Sequence, residues 1–191
     1  MTPLDINNIA FTSIVANSKG AKTLPALFEN GSNVTWQFED LLEIPFEPSA
    51  YNDNDNAATR VTICLNPSDY VCDIIAALDE WCIQTLSANP VPLLGVQLSI
   101  DQVRERYTSC LKTSDKGYKT LRLKMNRSGR YALQCYSPDK EKCAHPEIWR
   151  GCSIQPQIRF VGLYLMGRDF GAVMECTHAI VHESKDDACP F

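Results

Sequence analysis

The residues best placed to do chemistry are basic side chains that alternate with apolar ones in the second half of the chain. In Thr120-Leu121-Arg122-Leu123-Lys124-Met125, strand alternation puts the apolar residues on one face and the two cations on the other. Single-stranded nucleic acids bind to such surfaces when rings are also present, because cations follow the phosphates and rings stack on unpaired bases. We therefore predict backbone contacts at Lys119, Arg122, Lys124, Arg130, Arg159 and Arg168, and stacking at Tyr131, Tyr136, Trp149 and Tyr164.

Two further rings, Trp36 and Phe38, lie on an earlier predicted strand and are either additional stacking residues or core. The same choice applies to the whole set. Its rings can equally be core residues, and its cations ordinary solvated strand residues. The residue types alone leave both interpretations open.

The charge of the chain is unevenly distributed. The 191 residues carry a net charge of −5, but residues 1–100 hold 3 Lys and Arg against 12 Asp and Glu. Residues 101–191 hold 15 basic against 11 acidic residues, and residues 112–130 hold seven basic residues and one acid, Asp115. A basic face on an otherwise acidic protein indicates a polyanionic partner, with repulsion elsewhere on the surface. A solvated charged surface is the alternative.

The nine cysteines do not indicate a disulfide framework, because their number is odd and the first residues do not have the basic and then apolar pattern of a secretory signal. We expect a reducing intracellular compartment, mostly inert thiols and no secretory signal. Cys135, Cys143, His145 and Cys152 cluster within 18 residues, yet they lack the tight Cys-x2–4-Cys pair of structural zinc sites. We therefore predict no metal and no cofactor.

Enzymatic motifs are missing from the sequence. It contains no Walker-type glycine loop, no Gly-x-Ser-x-Gly, no His-Glu-x-x-His, and only three histidines. No apolar stretch approaches the length that crosses a bilayer as a helix. A non-enzymatic protein with no membrane partner is the resulting expectation.

Short β-patterned segments dominate the chain, separated by turn clusters. Apolar residues at helical spacing from Val71 to Leu86 predict one substantial helix, with Asn66 as its cap and Pro67 at its first position. A shorter helix is predicted from Ser99, where Gln102 completes a capping box, to about Tyr107. Strands are predicted at residues 9–16, 34–38, 59–65, 119–125, 130–136, 153–165 and 170–181.

We expect residues 119–125 and 130–136 to pair as a hairpin, and residues 153–165 and 170–181 to form a longer closing one. This order predicts a mainly β protein with one substantial helix after the early strands. Among such folds it favours a small closed barrel of the OB-fold type over a βαβ sheet, whose strands and helices would alternate.

The C-terminus resembles that of bacterial single-stranded DNA-binding proteins, whose tails end in an acidic run, an apolar residue and Pro-Phe. Asp186 and Asp187 match the acidic run, Cys189 the apolar position, and Pro190 and Phe191 the end. A terminal ring with its carboxylate suits an apolar pocket with a basic rim on a partner. The resemblance implies partner binding at Asp186, Asp187, Pro190 and Phe191. Ala188 stands where a third acid is expected, and the family's long linker is missing.

A second resemblance, to single-stranded DNA-binding proteins of phages and large DNA viruses, extends over roughly 170 residues. It rests on Phe11-Thr12-Ser13, Asn17-Ser18-Lys19-Gly20, Ile44-Pro45-Phe46, the 119–125 strand, Gly151 and Phe170-Gly171. It implies an OB-fold over residues 1–182 and an acidic tail over residues 183–191. The implied function is non-catalytic single-stranded DNA binding in replication, recombination or repair, with replication or recombination proteins as partners of the tail.

Two other functions remain open at this point. One is a structural or adaptor module that binds protein rather than nucleic acid. The other is an RNA-binding OB-fold, since stacking does not distinguish ribose from deoxyribose. A homo-oligomer is compatible with each of them.

Overall fold

The computed structural model describes residues 4–17, 20–50 and 58–183. Within them the chain is mostly β, with a few helices and no helix long and apolar enough to cross a bilayer. The helices are α1 (Asp69–Ala88), α2 (Pro90–Leu94) and α3 (Ile100–Arg106). The strands are β1 (Ile9–Phe11), β2 (Val15–Ala16), β3 (Lys22–Phe28), β4 (Val34–Gln37), β5 (Leu42–Glu43), β6 (Arg60–Leu65), β7 (Tyr107–Thr108), β8 (Leu111–Thr113), β9 (Lys119–Asn126), β10 (Gln134–Tyr136), β11 (Lys142–Cys143), β12 (Ser153–Met166) and β13 (Asp169–His182).

The chain forms two compact units, each built from separated segments. The first unit takes the described parts of Met1–Trp36 together with Asp69–Leu111 and Arg159–Met174. The second takes the described parts of Gln37–Ser68, of Lys112–Ile158 and of the segment that begins at Glu175. Strand pairs are both parallel and antiparallel, so the sheet is mixed. The predicted class, mainly β with one substantial helix, is confirmed, whereas pairing among the described strands does not show a closed barrel.

In the first unit, α1 supplies most of the helical part of the core. Its buried residues include Val71, Ile75, Leu78 and Leu86, which follow the spacing that predicted the helix. The predicted start of this helix is wrong by two residues, because α1 begins at Asp69. The side-chain amide of Asn66, its predicted cap, instead donates a hydrogen bond to Glu43 at 3.1 Å in the second unit.

Strand β3 is the centre of the pairing in the first unit. It runs antiparallel to β1, to β2 and to the part of β12 in this unit. Pro25 lies in the middle of β3, opposite Gly162 of β12. The sequence does not predict β3, because proline lacks the N–H that a paired strand uses and is rare inside sheets.

Helix α3 begins as predicted and is joined to α1 by an ion pair. Ser99 caps it, and its hydroxyl and the Gln102 side chain form the reciprocal bonds of a capping box. The Arg104 guanidinium donates to both carboxylate oxygens of Glu80, at 2.8 and 2.9 Å. This hydrogen bonding is the main cause that lowers the pKa of Glu80 from 4.5 to about 2.

The Glu80 carboxylate predicts a pH-dependent contribution to stability. A carboxyl whose pKa is lower in the folded state stabilises above its unfolded pKa, and the effect is lost as the pH falls toward the folded pKa. We expect Glu80→Gln to lower the urea midpoint slightly at pH 7, since both partners are about half exposed. The difference from the parent protein should shrink between pH 4.5 and about 2. Urea titrations across this range test it, and a difference independent of pH would contradict the assignment.

In the second unit, β6 and β9 form a long antiparallel ladder. The register places Val61 opposite Met125, Ile63 opposite Leu123 and Leu65 opposite Leu121. All six side chains are buried on one face, so three cross-strand apolar pairs stabilise this register. At its C-terminal end β9 also pairs in parallel with β13, with Lys124 opposite Glu175.

The predicted hairpin between residues 119–125 and 130–136 is wrong. Only Gln134–Tyr136 is a strand, and it pairs with β11 and β13 rather than with β9. The reason is that β6 offers apolar residues at each alternate position, whereas the 130–133 segment begins with exposed Arg130 and Tyr131. The closing hairpin is confirmed as β12 and β13.

Candidate nucleic-acid interface

The outer side of the β6–β9 ladder carries a cluster of cations, which we call the basic face. It consists of Arg60, Thr62 and Cys64 on β6 together with Arg122 and Lys124 on β9. These residues share one side because they alternate with the buried apolar residues of both strands. The predicted separation of Arg122 and Lys124 from the apolar residues of β9 is thus what the structure shows.

Hydrogen bonds hold two of the three cations in place. The Nζ atom of Lys124 donates to Oγ1 of Thr62 at 3.0 Å, directly across the ladder. The Arg60 guanidinium forms an ion pair with Glu175 at 2.8 Å, and Glu175 is only 5% exposed. The buried Glu175 carboxylate therefore holds the Arg60 side chain in place, and the Arg60 guanidinium compensates the negative charge of that carboxylate. Arg122 is exposed and extends into solvent.

Cys64 lies opposite Arg122 in the ladder and is half-buried. Burial raises the pKa of its thiol above 9.0, while the charges of Arg122 and Lys124 act in the opposite direction. Since burial is the larger effect, the thiol is neutral at physiological pH. It adds no negative charge to the basic face.

The two ends of β9 carry the remaining predicted residues of this strand and its flanking loop. Lys119 begins β9 and is exposed, but it has the same strand parity as the buried Leu121 rather than that of Arg122. Beyond the other end, the Arg130 guanidinium lies over the Tyr131 ring, 5.5 Å from its centroid, and both side chains are exposed. The structure thus places Lys119 and the Arg130–Tyr131 pair at opposite ends of the strand that carries the basic face.

Two predicted stacking rings in the second unit are already engaged by histidines. Tyr136 is half-buried and stacks on His178, with ring centroids 6.1 Å apart. Trp149 is only 6% exposed and meets the ring of His145 edge to face at 5.8 Å. Burial removes Trp149 from the surface that a base can reach, so we assign its ring to packing.

The predicted residues of the first unit do not form a comparable row. Arg159 is 9% exposed, between the buried Ile158 and Phe160. Tyr164 is half-buried and packs against Gly171. Arg168, at the turn between β12 and β13, is exposed and lines a cavity of about 470 Å³ with Arg106 and several apolar residues. Trp36 in the first unit and Phe38 in the second are both buried, which agrees with a core role.

The cysteine and histidine cluster of the sequence has separate structural roles. Cys135 and Cys143 are opposite each other on β10 and β11. His145 Nε2 donates a hydrogen bond to the carbonyl oxygen of Leu133, and the Cys152 thiol donates one to the carbonyl oxygen of Ile148. In the part of the chain that the structure describes, no three His, Cys, Asp or Glu side chains are placed to hold a metal ion. The predicted partner-binding residues Asp186, Asp187, Pro190 and Phe191 lie outside the described residues.

Comparison with known proteins adds evidence on the fold. No protein-family model and no curated protein matches this chain. Solved structures do match, among them the single-stranded DNA-binding protein of bacteriophage Enc34 in complex with single-stranded DNA, a C-terminal truncation of that protein, and gp2.5, a single-stranded DNA-binding protein encoded by bacteriophage T7. The chain shares its fold with these phage proteins.

The likeness extends over most of each chain. The TM-score is 0.51 for both Enc34 structures. The DNA complex is 14% identical and the match covers 91% of this chain and 96% of that one. The truncated protein is 13% identical and the match covers 94% of this chain and 98% of that one. For gp2.5 the TM-score is 0.50, with 14% identity over 82% of this chain and 93% of the other. At such identities the match concerns the fold, and function has to be argued from the residues of this chain.

Two residues that matter for the basic face, Arg60 and its ion-pair partner Glu175, were not among the predicted contacts. Arg60 has a usable signal, because strand alternation over residues 59–65 puts it on the side opposite Val61 and Ile63. Glu175 has none, because its ion pair with Arg60 joins positions 115 residues apart. Only the fold brings those two side chains together.

Proposed function

We propose that this protein binds and protects single-stranded DNA and catalyses no reaction. The observation that carries the proposal is the basic face, on a chain that shares its fold with single-stranded DNA-binding proteins of two phages. Cations on a regular strand ladder attract the phosphate backbone, and this attraction supplies most of the affinity of sequence-independent binding.

The proposed contacts divide by role. Arg122, Lys124 and Arg60 lie against phosphates, and the hydrogen bonds of the last two side chains reduce the entropy lost on binding. Tyr131, with Arg130 over its ring, offers an exposed surface on which a base can stack. Because phosphate contacts carry no sequence information, we propose binding that is tolerant of sequence.

The wider features of this function are also proposals. We propose an OB-like domain over residues 1–182, acting in replication, recombination or repair, and a tail over residues 183–191 that recruits replication or recombination proteins. The acidic first half of the sequence is consistent with a protein that attracts DNA on one face only, because the net charge of −9 over residues 1–100 repels DNA elsewhere on the surface.

A titration of labelled oligo-dT, matched oligo-rU and a DNA duplex, at about 50 and 200 mM salt, tests the proposal. We expect oligo-dT to bind best, with an affinity that falls steeply as salt increases. Preference for oligo-rU would indicate the RNA-binding alternative. Absence of binding to all three would contradict the proposal and favour the adaptor alternative.

Removal of the tail should leave the binding domain intact. We expect deletion of residues 186–191 to leave the melting temperature unchanged and to tighten oligo-dT binding or leave it unchanged, because two aspartates that repel or compete with phosphates are lost. Circular dichroism and the same titration measure both effects. A marked loss of affinity would contradict a competing tail.

A further inference from the structure

The turn between β8 and β9 carries the most exposed aromatic residue among those that the structure describes. Tyr118 is 72% exposed and directly precedes β9. The turn fixes its backbone, since its N–H donates to Oγ of Ser114 at 3.1 Å and its carbonyl accepts from the Ser114 N–H at 2.9 Å. Gly117, at φ +84°, closes the turn in a conformation that glycine adopts without strain. The ring is therefore presented to solvent from an ordered backbone.

Tyr118 continues the row of the basic face. Counting along β9, positions 118, 120, 122 and 124 have the same strand parity, which is the parity of Arg122 and Lys124. Four residues at about 3.3 Å each put Tyr118 roughly 13 Å from Arg122 along the strand. Lys116, in the same turn, is also exposed, whereas Lys119 has the opposite strand parity. An exposed aromatic ring in line with a row of cations is the arrangement that a stacked base with its neighbouring phosphates requires.

We propose that Tyr118, in line with Arg122 and Lys124, forms a base-stacking subsite for single-stranded DNA at the N-terminal end of the basic face. The subsite rests on the proposed function and adds a residue to it. With Tyr131 near the other end of β9, it gives the strand an exposed ring toward each end and cations between them. A bound strand then follows β9, with its phosphates along Arg122 and Lys124 and one base on the Tyr118 ring.

The test compares Tyr118→Ala and Tyr118→Phe with the parent full-length protein, using oligo-dT and an oligonucleotide of the same length with abasic sites. We expect Tyr118→Ala to weaken oligo-dT binding by about 5- to 160-fold, the usual range for one stacked base. Tyr118→Phe should retain the parent affinity, because the phenyl ring keeps the stacking surface. On the abasic strand all three proteins should bind alike. Tyr70→Ala, at a 54% exposed tyrosine on α1, is the matched control and should bind oligo-dT as the parent does.

The outcomes separate the subsite from the proposed function. If the parent binds oligo-dT and Tyr118→Ala binds it equally well, the subsite is wrong and the function stands. An equal loss on oligo-dT and on the abasic strand would overturn stacking as the role of the ring. If the parent protein binds no single strand, the proposed function fails and the subsite fails with it.

Discussion

The double substitution Arg122→Ala with Lys124→Ala should weaken oligo-dT binding about 25-fold at 0.1 M salt and flatten its salt dependence. Each phosphate contact to a single strand contributes about 0.7 to the slope of log affinity against log salt, so two contacts contribute about 1.4. The loss should be the same for oligonucleotides of different sequence, because phosphate contacts carry no sequence information. Fluorescence anisotropy at several salt concentrations measures both the affinity and the slope.

A matched control removes two charges from elsewhere in the same unit. Lys140 and Lys142 are exposed and lie on the β10–β11 hairpin, whose strand β10 pairs with β13. Lys140→Ala with Lys142→Ala should keep the parent affinity and slope. A salt slope unchanged by the Arg122 and Lys124 substitutions would rule out the basic face as the DNA-binding surface.

The second large effect concerns the fold of the first unit. A Cβ atom on Gly162 would lie 2.8 Å from Cα of Pro25 and 2.9 Å from the nitrogen of Ala26, and closer still to the carbonyl oxygen of Leu24. Because these are backbone atoms of β3, the two strands cannot move apart without breaking their pairing. In addition, Gly162 has φ +123°, a backbone conformation that alanine adopts only with strain. We expect Gly162→Ala to destabilise the protein by about 4 kcal/mol or more, or to prevent folding.

Gly167→Ala is the control for this prediction. Gly167 also has a positive φ, of +63°, but nothing lies within 4 Å of its Cβ position. Its substitution should cost only the backbone strain of about 1–2 kcal/mol. Guanidinium titrations of both variants give the comparison, and similar small losses would contradict the close approach of β3 and β12.

Features set by local alternation were predictable from sequence. The apolar and basic sides of β9, the buried stripe of α1 and the capping box of Ser99 all follow from spacing over a few residues. The partner of β9 did not follow, because β6 lies far away in sequence and the nearby 130–136 segment offered a shorter loop. Strand β3 was not predicted for a different reason, because Pro25 lies in its middle and proline is rare inside sheets.

The candidate site was predictable only in part, for a related reason. On β9 one face is covered and the other is open, so alternation identifies its exposed cations. On β12, Ile158, Arg159 and Phe160 are all buried, because both faces of that segment are covered. Alternation cannot reveal this, and Arg159 consequently resembled a surface cation in the sequence.

Amide chemical-shift mapping of the full-length protein with oligo-dT tests most directly that single-stranded DNA binds along β9. The account predicts the largest shifts at residues 60–64 and 118–124, which carry the basic face and the Tyr118 subsite, and little change at Lys142 and Cys143 of β11. The shifts should fade as salt increases. Binding whose shifts leave residues 60–64 and 118–124 unchanged would contradict the account.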